Sequence, residues 1–101
     1  MLTQLSWDEY GRHDYLPRAV VDAVTADFAR YHQLEFEAGV DDLDDVIWCP
    51  VWLGSGVPLL LSRHAGSPDE VVVWGPDDLP INNLADELGL VHSRVQMTIR
   101  P

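Results

Sequence analysis

Four carboxylates crowd one short stretch of the chain, Asp41, Asp42, Asp44 and Asp45, and oxygen ligands of this kind are what a hard cation such as calcium takes. The spacing does not suit a calcium loop. Counted from Asp42, the fifth position is Val46, the sixth is Ile47 where a glycine must turn, and the twelfth is Leu53 where a glutamate must close the shell. The stretch reads instead as a solvated acidic loop that could meet the arginines and lysines of a partner. His13, His32, His64, His92 and the single Cys49 have none of the short spacings of a zinc site, and a His32/Glu35 pair sharing a helix face does not make one. Ser55 lies in Gly54-Ser55-Gly56, a turn signal without the longer frame of a nucleophile elbow. Cys49 stands between Trp48 and Pro50 in an apolar run, where a thiol packs as a small hydrophobe. No glycine loop is built to cradle phosphate. The reading assigns no catalytic residue, no metal and no cofactor, and takes the chain as a non-enzyme.

Charge narrows the classes further. Seventeen acidic residues against six basic ones, all six arginine, give a formal net charge of -11. A field of that sign disfavours direct binding to nucleic acid or anionic lipid and favours basic proteins. One cysteine allows no internal disulfide, so the core alone must hold the fold. No apolar run approaches the roughly 20 residues of a membrane-spanning helix, and the opening MLTQLSWDEYGRH has neither a basic nor an apolar leader region. A cytoplasmic setting without membrane contact is the expectation.

The elements that would position these groups follow from periodicity. With no repeat, no low-complexity block and no dividing linker, residues 1–101 read as one domain of 101 residues. Val20, Val21, Val24, Phe28, Tyr31 and Leu34 recur at helical intervals, so a long N-terminal helix is expected from Pro17 to about Phe36, with Pro17 in its first turn and Gly39 as its stop. Val46 to Leu53, Val57 to Arg63 and Glu70 to Gly75 are rich in Val, Leu and Trp and separated by Gly and Pro turns. They read as a three-stranded antiparallel meander. Pro50 places the first of these strands at an edge or a bulge. Asp77 and Asp78 precede a short helix at Asn82 to Leu88 that ends at Gly89, and alternating Val95, Met97 and Ile99 suggest a C-terminal strand. The expected class is α+β, in the order αβββαβ.

One segment admits a second reading. In residues 82–100, Ala85, Leu84 and Leu88 precede a turn glycine, Gly89, and are followed by apolar Leu90 and Val95, with Ser93, Arg94, Gln96 and Arg100 between and beyond them. This resembles the helix-turn-helix of many bacterial transcription regulators, and implies a DNA-binding regulator whose polar side chains face the groove. That reading requires helix over Ser93 to Ile99; the strand reading requires the opposite.

Four tryptophans are many for this length, and Trp48, Trp52 and Trp74 all fall in strand segments, Trp48 and Trp52 on one parity. Burial in the core is the plain expectation. The sharper one is that Trp48, beside the acidic loop, anchors an interface. The favoured function is therefore a non-catalytic acidic domain that docks onto a basic partner, nucleic-acid-binding proteins being among the candidates, through Asp41, Asp42, Asp44, Asp45, Trp48, Asp77 and Asp78. It resembles nuclease-immunity proteins and phage inhibitors that imitate DNA in size and charge. A small ligand-binding or enzymatic α+β module, with a concave pocket of converging polar groups, is the third class.

Overall fold

Burial divides the stretch expected to be one long helix into a strand and a shorter helix. In Leu16–Asp22 the buried residues are Ala19 and Val21, at the period of a strand, and helix begins only at Thr25. A computed structural model describes residues 2–11, 15–40, 45–54, 56–64, 66–76, 79, 81–90 and 95–97. Its elements run Thr3–Gln4 (β1), Trp7–Tyr10 (α1), Leu16–Asp22 (β2), Thr25–His32 (α2), Glu37–Val40 (β3), Asp45–Trp52 (β4), Pro58–His64 (β5), Glu70–Gly75 (β6), Ile81–Leu88 (α3) and Val95–Met97 (β7). The described residues form a mostly antiparallel seven-stranded sheet with three small helices, so neither the long N-terminal helix nor the order αβββαβ holds.

The physical reason lies in residues that satisfy both periods. Val20, Val21 and Val24 fit a helical stripe, but adjacent β-branched valines also favour a pleated surface, and cross-strand pairing with β6 decides the matter. Pro17 sits in this strand without penalty. The register against β6 shifts between Pro17 and Ala19, so Pro17 stands beside a bulge, where a residue that lacks an amide hydrogen is tolerated. Helix α2 stops before Gly39, because Gln33 takes the left-handed conformation at φ 57° and its amide turns back to the Ala29 and Arg30 carbonyls.

The meander was legible: β4, β5 and β6 pair in sequence, and β4 begins and β5 ends within one residue of expectation. Across the sheet the order is β1-β4-β5-β6-β2-β7, and β3 shares the outer edge of β4 with β1. β1 pairs with Val51 and Trp52, β3 with Asp45 to Trp48, and the gap between them falls at Cys49 and Pro50. The Pro50 carbonyl accepts from the Leu5 amide on this outer side. In an antiparallel strand a residue's N and C=O point to the same neighbour, so the missing Pro50 amide also faces the interrupted edge and the β4–β5 ladder loses no bond. The C-terminal segment is strand at Val95–Met97, paired with β2, where the helix-turn-helix reading needs its second helix. Ser93, Arg94 and Arg100 lie outside the described residues.

One face of the sheet carries the core. Ala19, Val21, Cys49, Val51, Leu59, Leu61, Val71 and Val73 pack with Phe28 of α2 and Leu84 and Leu88 of α3. At its rim His32, on the last turn of α2, ties three distant segments together. Its Nδ1 accepts the Leu2 amide at 3.2 Å and its Nε2 donates to the Leu88 carbonyl at 2.8 Å, while the rings of Phe28 and Tyr31 enclose it. Both nitrogens are committed, so the ring is neutral and its tautomer fixed.

Burial lowers the His32 pKa below its ordinary value, with the Leu88 carbonyl pulling the other way. The unfolded chain therefore binds a proton more readily than the folded one. The stabilisation from His32 is complete above about pH 6.5 and is lost as the pH falls from there through the lowered folded value. Urea midpoints measured from about pH 8 down to about pH 5 should fall in the protein relative to a His32→Asn variant, which cannot titrate there. Parallel curves for the two would refute this assignment. Relief of carboxylate repulsion in acid acts on both alike.

Candidate functional site

The second face of the sheet is built from the even-numbered residues of β4, β5 and β6 and, in β2, from Val20 and Asp22 and, across the register shift, Pro17. Pairings Glu37 with Trp48, Trp48 with Ser62, Ser62 with Val72 and Val72 with Val20 set these five residues in one rung across five strands. The next rung joins Pro50, Leu60, Trp74 and Pro17, and Trp52 lies opposite Pro58. On the other side of the first rung, Asp22 and Glu70 stand directly opposite each other and both are exposed.

Trp48 and Trp74 lean together over the strand between them, ring centroids 5.8 Å apart and planes tilted by 49°. Beneath them Ser62 is fully buried, and its hydroxyl accepts the Trp74 indole N–H at 2.8 Å. A serine in the apolar run Leu59-Leu60-Leu61 thus has a reason: it satisfies an indole that would otherwise lose its partner on packing. Both indoles remain half-buried rather than enclosed, and Trp52 is 37% exposed, so the tryptophans of β4 and β6 lie outside the core cluster.

The N-terminal arm covers one margin of this face. Leu5 and Tyr10 are buried but stand apart from the core cluster, and Tyr10 meets both Trp7 and Tyr15 edge-on at 6.1 and 6.2 Å. Burial, with Tyr15 adding to it, pushes the Tyr10 phenol up to about 12. Ser6 and Glu9 hold the short α1 in a reciprocal capping box, and these bonds lower the Glu9 carboxyl. Trp7, 40% exposed, donates its indole N–H to Glu37 at 2.7 Å and so joins the arm to the Trp48 rung.

Of the residues expected at an interface, Trp48 is here, half-buried beside Trp74. Asp45 opens β4 opposite Val40. Asp41, Asp42, Asp44, Asp77 and Asp78 lie outside the described residues. Asp22, Glu37 and Glu70 carry no sequence signal of their own, and Trp74, expected in the core with the other strand tryptophans, lies on this face instead. Strand parity would have placed Glu70 and Trp74 on one face of β6, but Asp22 could be placed there only once its segment was known to be strand.

Other groups assemble less. Burial raises the Cys49 thiol to about 12, with the Glu37 charge adding to it, so the thiolate needed for attack is scarce at neutral pH. Among the described residues no cluster of three or more His, Cys, Asp or Glu side chains gathers to hold a metal. A shallow groove of about 240 Å³ runs between α2 and the end of α3, lined by Ala23, Val24, Phe28, Tyr31, Leu88 and Leu90. Its one carboxylate, Asp27, pairs with Arg30. No helix among the described residues is long and apolar enough to cross a membrane. Compared with known proteins, the chain matches no family model, no curated protein and no solved structure.

Proposed function

We propose that the chain is a non-catalytic protein-binding domain that docks onto a basic partner in the cytoplasm and modulates or inhibits it, in the manner of an immunity protein or an inhibitor that imitates nucleic acid. The observation that carries this reading is the Trp48–Trp74 face, half-buried and bordered by Glu37, Asp22 and Glu70 on a chain of net charge -11. Half-buried tryptophans supply contact area at low entropic cost, and a strong negative field raises the encounter rate with a cationic surface. The Asp41 to Asp45 stretch, which ends three residues before Trp48, adds to that field, as do Asp77 and Asp78.

The test is kinetic. Changing Asp41, Asp42, Asp44 and Asp45 to Asn should slow association with an immobilised, strongly basic protein by about tenfold at low salt and flatten the salt dependence, with little change in dissociation. Association that is slow in the unmodified chain and indifferent to salt would remove the reading.

A further inference from the structure

The same face carries a finer inference, which rests on the reading just given: we infer that its occupant is an arginine-bearing extended segment of a basic protein, seated across the Trp48–Trp74 indoles and the Asp22–Glu70 carboxylates. Three rungs of unlike chemistry follow one another along the strands. On β6 they are Glu70, Val72 and Trp74, each two residues and about 7 Å from the next. On β2, Asp22 and Val20 repeat the first two.

The carboxylate rung is unusual in itself. Like charges directly opposite in an antiparallel pair cost stability, and both partners are exposed, so a cation between them gains from both at once. The valine rung beside it accepts the aliphatic stem of a long basic side chain whose head remains at the carboxylates. Beyond it the tilted indoles offer aromatic surface. A planar guanidinium stacks on such surface better than an ammonium does, which selects arginine over lysine. In an extended segment alternate side chains share a face at the same step of about 7 Å, so arginines two steps apart, at i and i+4, match the separation of about 14 Å between the carboxylates and the Trp74 indole.

Charge also decides against the competing occupants. A second copy would bring another -11 and the same carboxylates onto this face, and nucleic acid would bring phosphates to it.

Two peptides of equal length and charge, one bearing arginines at alternate positions and one lysines, provide the test, with binding followed by tryptophan fluorescence and calorimetry. The arginine peptide should bind about tenfold more tightly than the lysine peptide. That preference should vanish in Trp48→Leu, and both affinities should fall about tenfold in Asp22→Asn/Glu70→Gln. The double variant removes a like-charge pair, so its Tm should not fall; this separates lost binding from lost folding. Equal binding of the two peptides overturns the inference. So does binding that ignores both variants but disappears when Asp41, Asp42, Asp44 and Asp45 are neutralised, an outcome that leaves the general reading standing. Failure of both peptides to bind even at low salt overturns the two together. A chain that is dimeric by itself and monomeric as Trp48→Leu would instead assign the face to a second copy.

Discussion

Replacing His32 by alanine should cost about 3 kcal/mol of unfolding free energy, from two buried backbone groups left without partners and a ring-sized void. The Leu2 amide and the Leu88 carbonyl belong to segments distant in the chain that this ring bridges. Phe28 and Tyr31, which flank it at 4.7 and 4.8 Å, would close over part of the gap but can replace neither hydrogen bond. His32→Asn retains one donor and one acceptor and should recover part of the loss, while His32→Leu fills volume without polarity and should recover less. Chemical denaturation of the three variants gives the order. If His32→Leu matched the unmodified protein, packing alone would account for the site and the two hydrogen bonds would carry no net stabilisation. Amide exchange adds a local check: in His32→Ala protection should fall first at β1 and at the end of α3, the elements that His32 joins.

How much of this arrangement could be read from the chain depended on whether one period was available or two. Glu70 to Gly75 offers a run of three valines and a tryptophan between turn residues, with no helical alternative, and β6 was placed correctly. The segment from Leu16 to Leu34 offers both periods at once. Tertiary pairing of β2 with β6 and β7 resolved what local pattern could not. The cap at α1 was legible but unused: Ser6 followed three residues later by Glu9 is a helix-start signature, and it introduces the four-residue helix Trp7–Tyr10. Gly89 was read correctly as the stop of α3. At φ 74° its backbone suits glycine, and a Cβ there would meet the Tyr31 ring at 2.8 Å.

The candidate site was half legible for a related reason. Trp48 was found because it adjoins an acidic run, whereas Trp74 and Asp22 reach the same face from β6 and β2, through pairings that no local spacing encodes. Pro50 suggested an edge strand or a bulge, and β4 is neither: it is paired on both sides and runs unbroken from Asp45 to Trp52, and the proline is accommodated instead by the gap that β1 and β3 leave beside it.

Trp74→Ala is the second substitution with a large expected effect, a loss of about 2 to 3 kcal/mol, toward the low end for removal of an indole because the ring is only half-buried. The loss has separable parts. Removing the ring exposes Ser62, whose burial depends on the two indoles above it, and takes away the edge that Trp48 packs against at 5.8 Å. The Ser62 hydroxyl regains a water, so the polar part of the cost is small. In Ser62→Ala the indole N–H of Trp74 instead loses its acceptor while the ring stays in place, and that variant should lose only about 1 kcal/mol. A double-mutant cycle over Trp74→Ala and Ser62→Ala should then show a coupling near the hydrogen-bond value, and one over Trp74→Ala and Trp48→Ala a coupling of about 1 kcal/mol for the ring pair. Zero coupling in the second cycle would mean that the indoles merely lie side by side.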